Sequence, residues 1–197
     1  DCNMVAVDPW VDDFDPSGDK QPYVEHLSRN AIEWGVQNKV LGVQLGMPDV
    51  KFANGSFDAA YSSTAFEMIR GIFGEDEYLA SLKETLRVLK DGAVFGLAEP
   101  MHQEGPAPQD LDPLVSAGDL PFRSFISTPQ ATAAQFEAAG FEVLDSGHAP
   151  DARAWWEEFA LYDPECRRNP EGNPKMLDVD AGRWLSIGYV IARKPAA

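Results

Sequence analysis

The sequence predicts a doubly wound α/β fold with a mostly parallel sheet, and three observations support this prediction. Short apolar runs bounded by turn-forming residues recur along the chain, as in the buried strands of parallel sheets. Amphipathic segments of helical period lie between several of these runs. Some of the runs end on acidic or hydroxyl residues, at the position where open α/β sheets bind ligands. We therefore expect the functional residues to lie at the carboxyl ends of strands.

The first part of the chain predicts a strand, a helix and a second strand. Residues 4–7 form an apolar run that ends at Asp8, which predicts a strand buried on both faces. The polar segment 11–21 predicts a loop, and segment 22–35, which begins with proline and ends with glycine, predicts a helix. Residues 40–45 predict the next strand. Two parallel strands joined by a helix make one right-handed crossover unit.

The same signals predict the remaining elements. We predict strands over residues 59–62, 93–98, 141–144 and 184–192, and helices over residues 78–89, 128–139 and 152–162. Lys90 to Gly92 supply a basic last turn and a C-cap glycine, which indicate the end of the helix over 78–89. Residues 101–125 and 163–180 have no helical or strand period, and loops of that length in a compact domain are usually lids or binding loops.

Composition limits the classes of function. The chain has 197 residues, of which 44% are hydrophobic, and this predicts one domain spanning residues 1–197. Its net charge of −16 would repel nucleic acid and anionic membranes, and an excess of acid is typical of a soluble protein. Cys2 and Cys166 lack metal-ligand spacing, so we predict no metal site and reduced, cytoplasmic thiols. No apolar run reaches the ~18 residues of a membrane span.

Asp8 is the first candidate for a functional residue. An acid at the carboxyl end of a buried parallel strand is where a nucleotide ribose is held through its hydroxyl groups. Asp8 followed by Pro9 is also a common way to begin a turn. Taken alone, the two residues support both interpretations equally.

Four blocks of residues together resemble the successive core motifs of class I S-adenosylmethionine-dependent methyltransferases of the type 11 kind. The blocks are residues 5–8, 52–63, 86–100 and 138–143, and the second contains the sequence Gly55-Ser56-Phe57-Asp58. An ordered series of blocks that covers most of the chain is far more specific than any one of them.

The resemblance implies S-adenosylmethionine as cofactor and a set of residues that hold it. Asp8 would accept charge-assisted hydrogen bonds from the ribose hydroxyls. Where the family often has an acid facing the adenine amino group, this chain has Gly46, so that contact would come from the backbone or from Asp49. The residues placed around the cofactor are Asp8, Pro9, Trp10, Gly46, Met47, Ser62 and Ser63. Core packing of Trp10 and helix capping by the two serines are the structural alternatives.

Methyl transfer is an in-line displacement that needs a general base only when the acceptor carries a proton. His102 is the candidate base, since it lies just beyond the strand that ends in Glu99-Pro100. His26 falls in the middle of a predicted helix and His148 in a late loop, and we interpret both as structural.

Aromatic residues in the helix over 152–162 are the candidate substrate contacts. Trp155, Trp156 and Tyr162 offer faces that suit an apolar or cationic acceptor, although their helical spacing also predicts core packing. We expect segments 101–125 and 152–180 to cover a small-molecule acceptor, because neither loop has the period to form core.

The chain begins on what resembles the family's second strand, so we expect that the first strand and its glycine-rich loop lie outside this sequence, and that these 197 residues alone are not a competent enzyme. A homodimer that pairs exposed strand edges is one expectation.

Two further classes of function stay open. A non-catalytic module that uses the fold for binding or dimerisation is the first alternative. An NAD-dependent dehydrogenase is the second, although it would not reproduce the downstream blocks.

Overall fold

The computed structural model describes residues 2–11 and 21–196, which divide into two compact units, one up to Phe52 and one from Ala53 onward. Each unit contains its own sheet, of two strands in the first unit and four in the second. That the two units form a single domain stays a prediction.

The first unit is the predicted strand, helix and strand. Strand β1 (Met4–Val7) pairs in parallel with β2 (Val40–Val43), and helix α1 (Tyr23–Glu33) connects them. Helix and strand pack closely, because a Cβ added to Gly42 would lie 3.0 Å from the Cβ of Val24. The predicted loop over residues 11–21 lies almost wholly outside the described residues.

Strand β1 differs from the prediction in its burial. Met4 is exposed and residues 5–7 are half-buried, so the strand is not buried on both faces. Within the described part of the chain β1 has one strand neighbour, β2. An apolar run makes burial favourable, but neighbouring elements have to supply it.

The second unit contains a mixed sheet. Its strands are β3 (Phe57–Ser63), β4 (Leu89–His102), β5 (Glu142–His148) and β6 (Leu185–Arg193), in the spatial order β3-β4-β6-β5. Strands β3 and β4 are parallel, whereas β6 runs antiparallel to both β4 and β5. The α/β class is confirmed, and half of the pairings in the described residues are antiparallel because the last strand inserts between two earlier ones. Apolar patterning predicts strands but carries no information on their direction.

Helices of the second unit surround this sheet. They are α2 (Phe66–Phe73), α3 (Glu75–Val88), α4 (Asp112–Val115), α5 (Pro129–Ala139), α6 (Ala152–Tyr162), α7 (Pro164–Arg168) and α8 (Asn173–Asp180), with a 3-10 turn at Phe122–Ser124. The predicted start and end of α5 are confirmed: the Thr128 hydroxyl accepts a hydrogen bond from Ala131 N at 3.1 Å, and Gly140 is left-handed. None of the described helices is long and apolar enough to cross a membrane.

An aromatic cluster forms the main core of the second unit. Phe95 of β4 stacks on Phe136 of α5 with ring centroids 5.3 Å apart. Phe66, Tyr78 and Phe141 complete the cluster at centroid distances of 5.3 to 5.9 Å. These rings pack the sheet against α2, α3 and α5.

The predicted helix end at Lys90 to Gly92 is wrong. Helix α3 ends at Val88, and all three residues lie in β4 beside a shift of the β3 register between Phe57 and Ala59. Gly92 does have a positive φ of 77°, and its N–H donates to Lys194 O. Glycine at this position indicated the backbone conformation correctly, but Gly92 is part of strand β4 and not the end of a helix.

Segments 101–125 and 152–180 do form core, contrary to the prediction. Their apolar side chains meet in a second hydrophobic cluster, which consists of Leu111, Val115, Ile126, Trp156, Met176, Leu177, Trp184 and Leu185. Residues 163–180, predicted as a loop, contain α7 and α8. Short helices joined by turns bring together side chains whose sequence spacing shows no period.

Candidate functional site

The carboxyl ends of β1 and β2 lie at the same edge of the first unit, because the strands are parallel. Asp8 follows β1, and its N–H donates to Val43 O at 3.3 Å. A Cβ added to Gly46, just after β2, would lie 3.4 Å from the Cβ of Pro9. This edge therefore brings together five of the seven predicted cofactor residues: Asp8, Pro9, Trp10, Gly46 and Met47.

The Asp8 carboxylate is held in one orientation. Its Oδ1 accepts a hydrogen bond from Trp10 N at 2.8 Å, which is the local turn contact. A carboxylate has about four lone-pair positions, so this bond leaves most of its accepting capacity for a ligand. The turn and ligand interpretations are thus compatible, since one side chain supports both.

Neighbouring residues at this edge have accessible surface. Trp10 is 42% exposed, so it is not part of the core formed by the described residues. Met47 is half-buried, and Gly46 presents only backbone beside Pro9. Asp49, the alternative adenine contact, is exposed and forms an ion pair with Lys51.

Ser62 and Ser63, the other two predicted cofactor residues, end strand β3 in the second unit. Ser62 is half-buried and Ser63 is exposed. Helix α2 begins after them with Ala65 as its N-cap and without a capping hydrogen bond from a side chain. The alternative that these serines cap the next helix is therefore wrong. Their hydroxyls lie at a carboxyl strand end, as predicted.

His102 is the last residue of β4, and its ring is held by two contacts. Nδ1 lies 2.8 Å from Gln103 O, and the ring stacks on Trp184 with centroids 4.3 Å apart. A carbonyl oxygen only accepts hydrogen bonds, so Nδ1 carries a proton, and in the neutral ring the lone pair is on Nε2. This tautomer has the form required of a general base.

The two other histidines are not candidates for the general base. His148 is the last residue of β5, not part of a loop as predicted. Its pKa is lowered by burial and also by the charge of His102, so the two rings are within electrostatic reach of each other. His26 lies in the middle of α1 as predicted, where its Nδ1 contacts Arg29 Nη2 at 2.8 Å.

The aromatic residues of α6 divide into two groups. Trp156 is 8% exposed and belongs to the second hydrophobic cluster, so core packing explains its position. Trp155 and Tyr162 are 48% and 65% exposed. Only these two of the three predicted substrate contacts present surface to a ligand.

A buried charged network in the second unit was not predicted. The Glu99 side chain is 0% exposed, and its Oε1 accepts hydrogen bonds from Arg70 Nη1 at 3.0 Å and from the Tyr78 hydroxyl at 3.3 Å. The guanidinium carbon of Arg70 lies 3.8 Å from the centre of the Tyr78 ring. Charge pairing and a cation–π contact together compensate for burying this arginine.

A second acid, Glu67, joins this network. Burial, and after it the negative charge of Glu99, raise the pKa of Glu67 from its ordinary value of 4.5 to about 8. Burial also raises the pKa of Glu99. Two buried carboxyl groups face one arginine, so Glu67 is protonated at neutral pH. The i, i+3 spacing of Glu67 and Arg70 in an apolar segment was the available signal.

A cavity of about 260 Å³ lies between the two segments predicted to cover the acceptor. Its walls are mostly apolar and are formed by Leu114, Ala117, Leu120, Phe122, Phe125, Glu171, Gly172, Asn173 and Met176. The described residues contain no group of three or more histidine, cysteine or acidic side chains that is suited to hold a metal ion.

Comparison with known proteins identifies relatives of this chain, although no family model matches it. It is 29% identical over 145 residues to sterol 24-C-methyltransferase erg6 from Aspergillus fumigatus. The match covers 70% of this chain and 36% of that protein, so the chain spans about a third of its curated relative.

Solved structures share the fold at low sequence identity. The cyclase SpnF superposes with a TM-score of 0.69 at 19% identity, and the match covers 100% of this chain and 68% of SpnF. A geranyl diphosphate methyltransferase in complex with S-adenosylmethionine superposes with a TM-score of 0.64 at 13% identity, over 98% of this chain and 69% of that enzyme. The chain therefore has the class I methyltransferase fold.

Proposed function

We propose that this protein transfers a methyl group from S-adenosylmethionine to a small-molecule acceptor. The observation that carries the proposal is the oriented carboxylate of Asp8, at the carboxyl edge of two parallel strands in a chain with the methyltransferase fold. The likeness to a sterol methyltransferase supports it.

The residues at the carboxyl edge of the first unit fit the adenosine part of the cofactor. Asp8 accepts hydrogen bonds from the ribose hydroxyls, and the exposed ring of Trp10 beside Pro9 offers a flat apolar surface for adenine. The backbone at Gly46 can approach the base closely because no side chain intervenes. Ser62 and Ser63 are assigned to the sulfonium end. When bound, the cofactor supplies a methyl group activated for in-line displacement.

His102 is assigned as general base for an acceptor that carries a proton. Its Nδ1–H donates to Gln103 O, so that in the neutral ring Nε2 is the nitrogen that can take up the proton of the acceptor. Trp184 restricts the ring to one plane, so the base is positioned before the acceptor arrives. An acceptor that is already an anion or a neutral amine would not require this group.

Segments 101–125 and 152–180 are assigned to the acceptor site. The apolar cavity between them suits a small molecule with a hydrocarbon part. The exposed side chains of Trp155 and Tyr162 extend the aromatic surface of the second segment. Exchange of both segments with those of another methyltransferase should change the preferred acceptor and leave cofactor affinity unaltered.

Calorimetry tests the cofactor assignment. For the complete protein we expect heat of binding from S-adenosylhomocysteine and none from NAD, because the oriented acid is common to both classes of site whereas the fold is that of methyltransferases. Heat from NAD alone would favour the dehydrogenase alternative.

One observation favours a second candidate, a protein with this fold that does not transfer methyl groups. SpnF shares the fold and is named a cyclase, so the fold alone does not determine the reaction. Incubation with S-adenosylmethionine and either a sterol or geranyl diphosphate separates the candidates. Formation of S-adenosylhomocysteine supports methyl transfer, while cofactor binding without turnover of any acceptor supports the second candidate.

Two finer assignments belong to this proposal. Neither Cys2 nor Cys166 is part of a disulfide, which suits a reducing cytoplasmic location. A homodimer would provide a partner for exposed strand edges. Light scattering on the full chain tests the dimer, since a monomeric mass at micromolar concentration would exclude it.

A further inference from the structure

Helix α2 holds one aromatic residue of segment 101–125 in place. Arg70 Nη1 donates to Phe125 O at 3.2 Å. The next residue along the helix, Gly71, makes room for the ring, because a Cβ added to Gly71 would lie 2.2 Å from Phe125 Cδ1. Two adjacent residues therefore dock the same phenylalanine, one through its backbone and the other through its side chain.

The Arg70 side chain is also held by contacts other than the one with Phe125. Its Nη1 is 3.0 Å from Glu99 Oε1, and its Nε is 3.1 Å from Glu75 Oε1. The guanidinium lies over the ring of Tyr78, and the arginine is 5% exposed. Contacts from β4 and α3 thus leave the side chain little freedom, so the position of Phe125 follows that of Arg70.

Phe125 also forms part of the wall of the apolar cavity, together with Leu114, Phe122 and Met176. The residue is half-buried, in keeping with a ring that has α2 on one side and the cavity on the other. The cavity volume of about 260 Å³ is slightly below the range of roughly 300–1,000 Å³ for sites that enclose drug-sized ligands. Any movement of this ring changes the space available to a ligand.

We propose that Arg70 and Gly71 are positioning residues that set the size of the acceptor cavity by docking Phe125 on helix α2. This inference rests on the proposed function, since it takes the cavity as the site of the acceptor's hydrocarbon part. Neither residue touches the acceptor; each acts through Phe125. The class of acceptor that follows is a small apolar molecule.

The test measures binding of straight-chain alcohols, from butanol to octanol, to the full chain by displacement of the neutral dye phenylnaphthylamine. In the parent, affinity should rise about fourfold with each methylene group until the cavity is full. Gly71→Ala should push Phe125 into the cavity and lower octanol affinity by about tenfold or more. Phe125→Ala should allow longer alcohols to bind than the parent accepts.

The double variant Gly71→Ala/Phe125→Ala gives the decisive readout. It should recover octanol binding, because removal of the ring removes the clash with the new methyl group. A purely structural glycine would show no such rescue, and replacement by alanine in a helix is stabilising by itself. Gly96→Ala is the matched control, since its added Cβ would meet Tyr61 at an ordinary 4.0 Å.

Unchanged octanol affinity in Gly71→Ala, or a loss that Phe125→Ala does not rescue, would overturn the proposal. If Gly71→Ala does not fold, Arg70→Lys provides the second test, because lysine keeps the charge but loses the guanidinium, whose Nη1 donates to Glu99 and Phe125 while its Nε pairs with Glu75. In that variant, the chain length at which the affinity for alcohols stops rising should be less sharply defined. The affinity for S-adenosylhomocysteine is measured in a separate experiment. If the parent protein does not bind S-adenosylhomocysteine, the proposed function is contradicted, and the result with the alcohols is judged on its own.

Discussion

The same local sequence, an acid followed by proline, occurs just after strand β1 and inside strand β4, and the two acids have opposite surroundings. Asp8 precedes Pro9 after β1, is half-buried, and has a turn hydrogen bond from Trp10 N. Glu99 precedes Pro100 within β4, is fully buried, and is bound by Arg70 and Tyr78. The next residues differ in the same way, since Trp10 is 42% exposed and Met101 is 0% exposed.

The comparison shows that an acid at a strand end is not by itself evidence of a ligand site. Strand β4 continues to His102, so Glu99 is inside the strand, whereas β1 stops before Asp8. The buried acid then requires a positive partner, and Arg70 provides it. The half-exposed acid keeps accepting capacity for a ligand. Substitutions in the Glu99 network should therefore change the stability of the protein, and substitutions of Asp8 should change ligand binding.

The largest expected effect is the pH dependence caused by Glu67 in the Glu99 network. Between pH 4.5 and about 8 the folded protein holds a proton on Glu67 that the unfolded chain has released. The free energy of unfolding should therefore fall as pH rises through this window, by up to ~5 kcal/mol at 1.36 kcal/mol for each pH unit. Urea unfolding at several pH values measures this free energy. In the Glu67→Gln variant its decrease with rising pH should be missing.

The matched control for that experiment is Glu137→Gln, on the exposed face of α5. It should keep the pH dependence of the parent protein. An identical slope in the Glu67→Gln variant and the parent would mean that Glu67 titrates as an ordinary surface acid.

Removal of the Glu99 carboxylate should have the next largest effect. Glu99→Ala leaves the Arg70 guanidinium buried without its main partner, and we expect a loss of about 3–5 kcal/mol in the free energy of unfolding. Asp8→Ala should cost less than about 1 kcal/mol, because only an accessible turn contact is lost. Chemical unfolding at neutral pH measures both changes. Equal losses would remove the distinction between the two acids.

Cofactor affinity should respond to Asp8. Asp8→Asn removes the charge from the hydrogen bonds to the ribose and should weaken S-adenosylhomocysteine binding by about tenfold to a hundredfold, which is ~1.4–2.8 kcal/mol. Asp58→Asn is the control, since Asp58 is a strongly exposed acid at the start of β3 that pairs with Lys90. Titration calorimetry should show unchanged affinity for that control. If Asp8→Asn binds like the parent, Asp8 is not a cofactor contact.

The smallest effect is expected at Trp10, the exposed residue that follows the first acid and proline. Trp10→Leu keeps an apolar side chain but removes the aromatic face, which is worth about 0.5–1.5 kcal/mol in a stacked contact. S-adenosylhomocysteine binding should weaken by roughly twofold to tenfold, with stability little changed. Trp34→Leu, at a side chain that is 78% exposed just beyond α1, should have no effect on binding. Equal affinities in both variants would place adenine elsewhere.

Local signals predicted much of the fold. The unit of β1, α1 and β2 followed from an apolar run, a helical stripe and a second run. The ends of α5 followed from Thr128 and Gly140, because a capping hydroxyl and a left-handed glycine act on their immediate neighbours. These features depend on residues a few positions apart, which is the range over which sequence patterns carry information.

The candidate site was predicted in part for the same reason. A strand end and the acid after it are local, so Asp8, Gly46 and the residues beside them could be placed at one edge. The orientation of the His102 ring was out of reach, since it depends on the stacked ring of Trp184, 82 positions further along the chain.

The sequence by itself determined the order of strands and helices along the chain and the chemistry available at the strand ends. The tertiary structure decided which acid is buried, which direction β6 runs, and which side chains form the second hydrophobic cluster. Burial and pairing join distant residues: Arg70 reaches Glu99 across 29 positions and Phe125 across 55. The environment of an ionisable group, and with it its pKa, is a property of these contacts and not of the local pattern.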